Sequence, residues 1–315
     1  MAVALALCAG LCYANAAVWQ QRVASRQPAG LSLSPRLLLA LIRHPLWLLG
    51  IAFDVVAFAL EAAAHDRGEL VTVGPLLVSG LVFALPLSVI GRHERVTRRE
   101  WIPAIAVVGG LSAFIAVGSP EGGHAQTSAG NWAIASIVVA GIAGAAILAG
   151  RASAGPRRAL MFGVATGTIY ALTAVLTKAT VDVLDRGFTD LVTSWQLYLL
   201  LAVSGIGLLV NQSAFQAGHV GASLPAIATI NPVLASVFGL TLFDERLAAH
   251  GPLELAVTVV AIGIMVAGTI SLATSPLVTR AHSPDDEDPP VVRSRSRGEA
   301  RRASFPLRRA TRSSS

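Results

Sequence analysis

Nine stretches of this chain are almost free of charge, and each is about as long as a membrane crossing. They run roughly over residues 2–19, 46–64, 70–91, 101–118, 132–150, 158–180, 192–214, 221–243 and 252–274. A helix needs ~20 apolar residues to cross a ~30 Å hydrocarbon core. Helices of this kind satisfy every backbone polar group within themselves, as the lipid interior demands. The sequence therefore predicts an all-α, polytopic membrane protein with about nine transmembrane helices. Composition agrees: 54% of residues are hydrophobic and 13% charged, against roughly 25% charged in soluble domains.

The segment 31–44 holds Leu37, Leu38, Leu39, Leu41 and Ile42, but Arg36 and Arg43 interrupt it. It is too short to span and is expected to lie at the membrane interface. Ala14-Asn15-Ala16 imitates a signal-peptide cleavage site, yet no basic segment precedes the apolar run. The first stretch is read as a retained helix. Cys8 and Cys12, one turn apart within it, are read as packing residues.

Arginine placement predicts orientation. Arg22, Arg26, Arg36 and Arg43 fall in the first loop, Arg92, Arg95, Arg98 and Arg99 in the third, and Arg151, Arg157 and Arg158 in the fifth. The alternate loops are poor in basic residues. The N-terminus is thus expected outside and the C-terminus in the cytoplasm, with the protein in the cell inner (plasma) membrane. Nine arginines against five acids after Thr274 supply most of the net charge of +6. This basic balance marks a tail and orientation signals, and no nucleic-acid partner is expected. Residues 275–315, rich in Arg and Ser, are expected to be a disordered cytoplasmic tail. Its string Arg301-Arg302-Ala303-Ser304 resembles a basophilic kinase site, but contact with anionic lipid is the preferred reading.

The chain repeats itself. Gly10-Leu-Cys-Tyr13-Ala14-Asn-Ala-Ala17-Val18 returns as Gly167-Thr-Ile-Tyr170-Ala171-Leu-Thr-Ala174-Val175, at an offset of 157. Glu94-Arg95 returns as Glu245-Arg246 at an offset of 151, which also places Glu61 on Gln212. Helices one to four (repeat one, about 1–150) thus match six to nine (repeat two, about 158–274). Five helices separate matching starts, so the two halves enter the membrane from opposite sides. Such an inverted repeat marks secondary transporters. Residues 1–274 form the expected transporter domain.

Three stretches carry a resemblance to a known family. They are Pro45-Leu-Trp47-Leu-Leu-Gly50-Ile-Ala-Phe-Asp54, Glu69-Leu-Val-Thr72-Val-Gly74-Pro75-Leu76, and Gly221-Ala-Ser223-Leu224-Pro225 through Asn231-Pro232 to Asp244-Glu245-Arg246. The chain resembles the drug/metabolite transporter (DMT) superfamily, EamA-like, and its layout is closest to the NIPA-type magnesium transporters. The likeness implies the nine-span arrangement, admits a homodimer, and leaves metabolites, drugs, nucleotide sugars or magnesium as substrates. Where the NIPA pattern has asparagine three residues after the helix-two acid, this chain has Ala57.

Asp54 lies about eight residues, or ~12 Å, from the inner end of helix two. A carboxylate at that depth requires a partner, water or a cation. Glu61 and His65 continue the same face outward. Asn231 stands before Pro232 in helix eight. Pro225 lies near that helix's start, and Pro75 occupies the matching place in helix three. Breaks at corresponding places of two repeats point to a binding site. Asn211, Gln212 and Gln216 cluster at the inner end of helix seven as a candidate gate. Tyr13 and Tyr170 are repeat-related candidates for the cavity wall, and Lys178 is read as a snorkelling side chain.

No nucleophile with a base, phosphate-binding glycine loop or metal-spaced Cys/His cluster is apparent. Neither an enzyme nor a cofactor is expected. The expected function is alternating-access transport of a small organic solute across the inner membrane. A magnesium or divalent-cation carrier, with Asp54 and Glu61 as metal ligands, is the alternative. A non-transporting membrane scaffold acting through its tail is the rival of another class.

Overall fold

A computed structural model describes residues 1–65, 67, 76–77, 79–90, 95–118, 120–121, 128–218, 220–242, 246–247 and 251–276. Pro75, Glu94, Glu245, the side chain of His65 and the tail from residue 277 lie outside these.

Among the described residues, eight helices are long and apolar enough to cross a bilayer. They are α1 (Ala2–Ala24), α3 (Pro45–His65), α5 (Arg98–Gly118), α6 (Ala129–Arg151), α7 (Gly155–Leu184), α9 (Trp195–Ala217), α10 (Val220–Leu242) and α11 (Pro252–Ala273). The chain is an all-α, multi-pass membrane protein. The predicted third span is represented by α4 (Gly80–Val89) with helical Leu76 and Leu77 before it. Two short helices, α2 (Pro35–Leu41) and α8 (Phe188–Thr193), lie between spans.

Ends that differ from the sequence expectation have local causes. α7 begins at Gly155 because Pro156 suits a first helical turn, and its 30 residues carry it beyond the expected 158–180. α9 begins at Trp195 because the Ser194 hydroxyl accepts the Leu197 N–H and caps it. At the start of α5 the Glu100 carboxylate accepts the Thr97 N–H at 2.8 Å, half of a capping box.

The helices pair in a recurring pattern. α1 packs on α3 and α4, and α7 packs on α9 and α10. α5 lies against α11, α4 touches α10, and α6 flanks α7. Small residues permit these approaches, as is usual between membrane helices. A methyl group on Gly80 would lie 2.7 Å from the Gly10 carbonyl oxygen, so α1 and α4 meet backbone to backbone. A methyl on Gly167, the repeat partner of Gly10, would lie 2.9 Å from Cβ of Ile230 on α10. Large apolar side chains such as Phe58, Ile137, Leu201 and Val259 point outward. In water such a surface would aggregate, whereas in a bilayer it is solvated by lipid.

One end of the bundle is tied by polar contacts. Ser34 caps α2, which buries Leu37 and Leu41 and leaves Leu39 and Ile42 exposed. This is the amphipathic form expected of an interfacial segment. Leu33 N–H donates to Ser213 Oγ, and Gln216 Nε2 donates to the Pro28 carbonyl. Arg22 donates to the carbonyls of Leu87 and Ile90 and so caps the end of α4. At the other end, β1 (Pro120–Glu121) pairs antiparallel with β2 (Arg246–Leu247). There Trp132 meets Trp195 edge to face, with centroids 5.6 Å apart.

Candidate functional site

Two cavities adjoin at the centre of the bundle. The larger, about 570 Å³, is lined by Tyr13, Ala14 and Ala17 of α1, Glu61 of α3, Gly80 and Leu81 of α4, Leu111 and Ile115 of α5, and α10 from Leu224 to Pro232. Leu77 completes its wall. The smaller, about 360 Å³, is lined by Tyr13, Ala17 and Gln20 of α1, Asp54 of α3, Tyr170 of α7, Asn211 and Phe215 of α9, and Leu224 and Ile227 of α10. Tyr13, Ala17, Leu224 and Ile227 belong to both walls. Ligand sites of small molecules occupy cavities of this size, mostly apolar with a few placed polar groups.

Seven of the predicted site residues therefore line the two cavities: Tyr13, Asp54, Glu61, Tyr170, Asn211, Asn231 and Pro232. Helix geometry explains why α3 serves both. Asp54 and Glu61 are seven residues apart, two turns on one face, and separated by ~10 Å along the axis. Each has its own partner on α1. Tyr13 Oη donates to Glu61 Oε2 at 2.5 Å, and Gln20 Nε2 donates to Asp54 Oδ2 at 2.5 Å. Tyr13 and Gln20 are themselves seven residues apart, so two parallel helical stripes meet rung by rung.

Gln212, near the end of α9, is turned into the bundle. It is fully buried behind the smaller cavity and outside both linings. Its Oε1 accepts the Trp47 indole N–H at 3.1 Å, and its Nε2 donates to Gln20 Oε1 at 2.7 Å. A relay thus runs from Trp47 through Gln212 and Gln20 to Asp54. Its direction follows from chemistry, because an indole nitrogen can only donate. Gln212 must turn its oxygen to Trp47 and its amide NH2 to Gln20, which leaves Gln20 its own NH2 for Asp54. Gln216, in turn, joins the α2 end of the bundle through the Pro28 carbonyl.

α10 runs unbroken from Val220 to Leu242 through both Pro225 and Pro232. The prolines remove donors without ending the helix. A proline deprives the carbonyl four residues earlier of its helical partner. For Pro232 that carbonyl belongs to Ala228, a residue of the larger cavity wall. Near Pro225, the Thr269 hydroxyl of α11 donates to the Pro225 carbonyl at 3.2 Å and meets Thr229 at 2.9 Å. The side-chain oxygens of Asn211 and Asn231 are buried and have no hydrogen-bond partner among the described residues. Lys178 is exposed, consistent with a side chain that reaches out of the bundle.

Sequence reasoning overlooked Gln20. The signal was its spacing, seven residues after Tyr13 on the same helical face; the structure buries it to 3% exposure. Trp47 was visible only as part of a motif.

A protein of Corynebacterium glutamicum described as uncharacterized is 31% identical over 249 residues, covering 78% of this chain and 86% of that protein. The chain belongs to that protein's family. No sequence profile of a known family matches the chain, and no solved structure matches it. The candidate site of this chain combines two adjoining cavities, two carboxylates on one helix, and a relay that passes through Gln212 of the second sequence half.

Proposed function

We propose that the chain is a secondary carrier of the DMT type that moves a small organic solute across the cell inner membrane by alternating access. The observation that carries the reading is the pair of adjoining cavities, walled by helices of both sequence halves and containing two intramembrane carboxylates. Ionisable groups at such depth are costly and mark substrate or ion paths.

The inverted repeat is part of the proposal. In its favour, α1 with α3 and α4 corresponds to α7 with α9 and α10, and the repeat-matched Gly10 and Gly167 both sit at close helix approaches. The orientation with the N-terminus outside rests on the arginines. Consistent with it, the arginine-bearing α2 segment and the capping Arg22 share one end of the bundle.

An organic solute is favoured over a divalent cation for a geometric reason. A magnesium ion demands oxygens at about 2.0–2.1 Å. Asp54 and Glu61 stand ~10 Å apart along α3 in different cavities and cannot hold one ion together. The walls between them are mainly Leu, Ile and Ala.

The test is uptake by proteoliposomes of a labelled panel of amines, amino acids and nucleobases, with Asp54→Asn beside the unaltered chain and magnesium flux followed in parallel. Gradient-driven solute uptake that Asp54→Asn removes supports the carrier. Magnesium flux lost in the same variant would replace it with the divalent-cation reading. Function in cells that survives Asp54→Asn but ends on deletion of residues 277–315 would favour the scaffold.

A further inference from the structure

We infer that the smaller cavity is an ammonium site whose preference for amines over divalent cations is set by the Trp47–Gln212–Gln20 relay, and that the substrate is an amphipathic primary amine. The inference rests on the carrier reading and names its substrate class.

Two acceptor oxygens at the smaller cavity are left without a hydrogen-bond donor among the described residues. Asp54 Oδ2 receives Gln20, while Oδ1 is left without a protein donor among the described residues. The Asn211 side-chain oxygen, in the same cavity wall as Tyr170, closes no hydrogen bond either. Tyr13 spends its O–H on Glu61 and keeps lone pairs to accept. A primary ammonium brings three donors and one positive charge, which matches a carboxylate flanked by neutral acceptors. The apolar remainder of such a molecule has a place next door, past Leu224 and Ile227 into the larger cavity.

The relay argues against a hard divalent ion at the same carboxylate. Such an ion collects oxygen ligands. Gln20 is the amide nearest Asp54, yet it presents its NH2, because its oxygen is occupied by Gln212. Gln212 is locked in turn by Trp47, whose indole can only donate. An ion beside Asp54 would meet the positive end of the amide dipole. An ammonium does not require that oxygen.

The experiment measures binding of n-hexylammonium by calorimetry to the purified full chain in zwitterionic-lipid nanodiscs, with empty nanodiscs as blank. Hexanol, hexyltrimethylammonium and Mg²⁺ are compared with it. Hexylammonium should bind best. Hexanol lacks the charge and hexyltrimethylammonium lacks the N–H donors. Asp54→Asn should weaken hexylammonium about tenfold or more, the loss of a charged hydrogen bond. Asn211→Leu should weaken it severalfold and serves if Asp54→Asn does not fold. Mg²⁺ should not displace hexylammonium from the unaltered chain, but should do so in Trp47→Phe, where nothing holds Gln212 and Gln20 in their direction.

Equal binding in Asp54→Asn, or displacement by Mg²⁺ from the unaltered chain, overturns the ammonium site. Trp47→Phe without gain of Mg²⁺ competition overturns the relay's part in it. Asp54-dependent binding without amine flux into proteoliposomes overturns the carrier reading and leaves the site standing. Flux of other solutes with no hexylammonium binding does the opposite.

Discussion

Gln20 turns its amide nitrogen, and not its oxygen, towards Asp54, with Nε2 2.5 Å from Oδ2. The orientation is imposed from 192 residues away in sequence, where Gln212, its own oxygen held by the Trp47 indole, donates to Gln20. An intramembrane carboxylate is thus partnered by an amide whose direction is set by the other half of the chain.

Gln212→Leu should destabilise the protein by about 2 kcal/mol or more. The variant leaves the buried Trp47 indole and the Gln20 oxygen without their partner, and each orphaned group costs about 1–3 kcal/mol. Thermal unfolding in nanodiscs measures it. Gln212→Glu should keep the Trp47 bond but lose the donor to Gln20. An unfolding curve for Gln212→Leu that overlays the unaltered chain would show that the relay contributes nothing to stability.

Gly80→Ala should separate α1 from α4 and cost about 1–3 kcal/mol, since the added methyl meets the Gly10 carbonyl oxygen, which cannot swing aside. Gly109→Ala is the control, because nothing lies within 4 Å of the methyl it adds. Equal melting temperatures for the two variants would contradict the backbone contact.

Tyr13→Phe removes the donor to Glu61 with no change of shape. Solute uptake should fall severalfold while the unfolding temperature moves little, since one net hydrogen bond is worth about 0.5–1.5 kcal/mol. Tyr13→Phe transporting at the unaltered rate would assign the tyrosine to packing alone.

Orientation is open to thiol labelling in intact cells after Cys8→Ser and Cys12→Ser. Arg36→Cys, exposed on α2, should resist a membrane-impermeant reagent until the cells are opened. Ser128→Cys, exposed before α6, should react at once. The reverse pattern would turn the protein over in the membrane.

Much of the site could be read from the chain alone, and the part that could not has a common cause. Asp54 and Glu61 stand out in sequence because charge is rare where ~20 apolar residues must run together. Gln212 was visible as polar, but its partners Trp47 and Gln20 were not. Its depth behind the cavity depends on how α9 is rotated against α1 and α3, and no local periodicity encodes that. α10 offered the same lesson from the other side. Its prolines signal weakened helix, yet the helix runs unbroken through both.

The sequence by itself determined the helical membrane body, the recurrence of its Gly-x-x-Tyr-Ala pattern and the spacing of Asp54 and Glu61 along one apolar helix. Each of these depends on composition and spacing along one helix. Tertiary structure alone decided which side chains meet: Tyr13 with Glu61, Gln20 with Asp54, and Gln212 between Gln20 and Trp47. Those pairs join residues 34 to 192 positions apart. Their partners are set by the packing of small residues between helices, and only that packing fixes where a hydrogen bond can close.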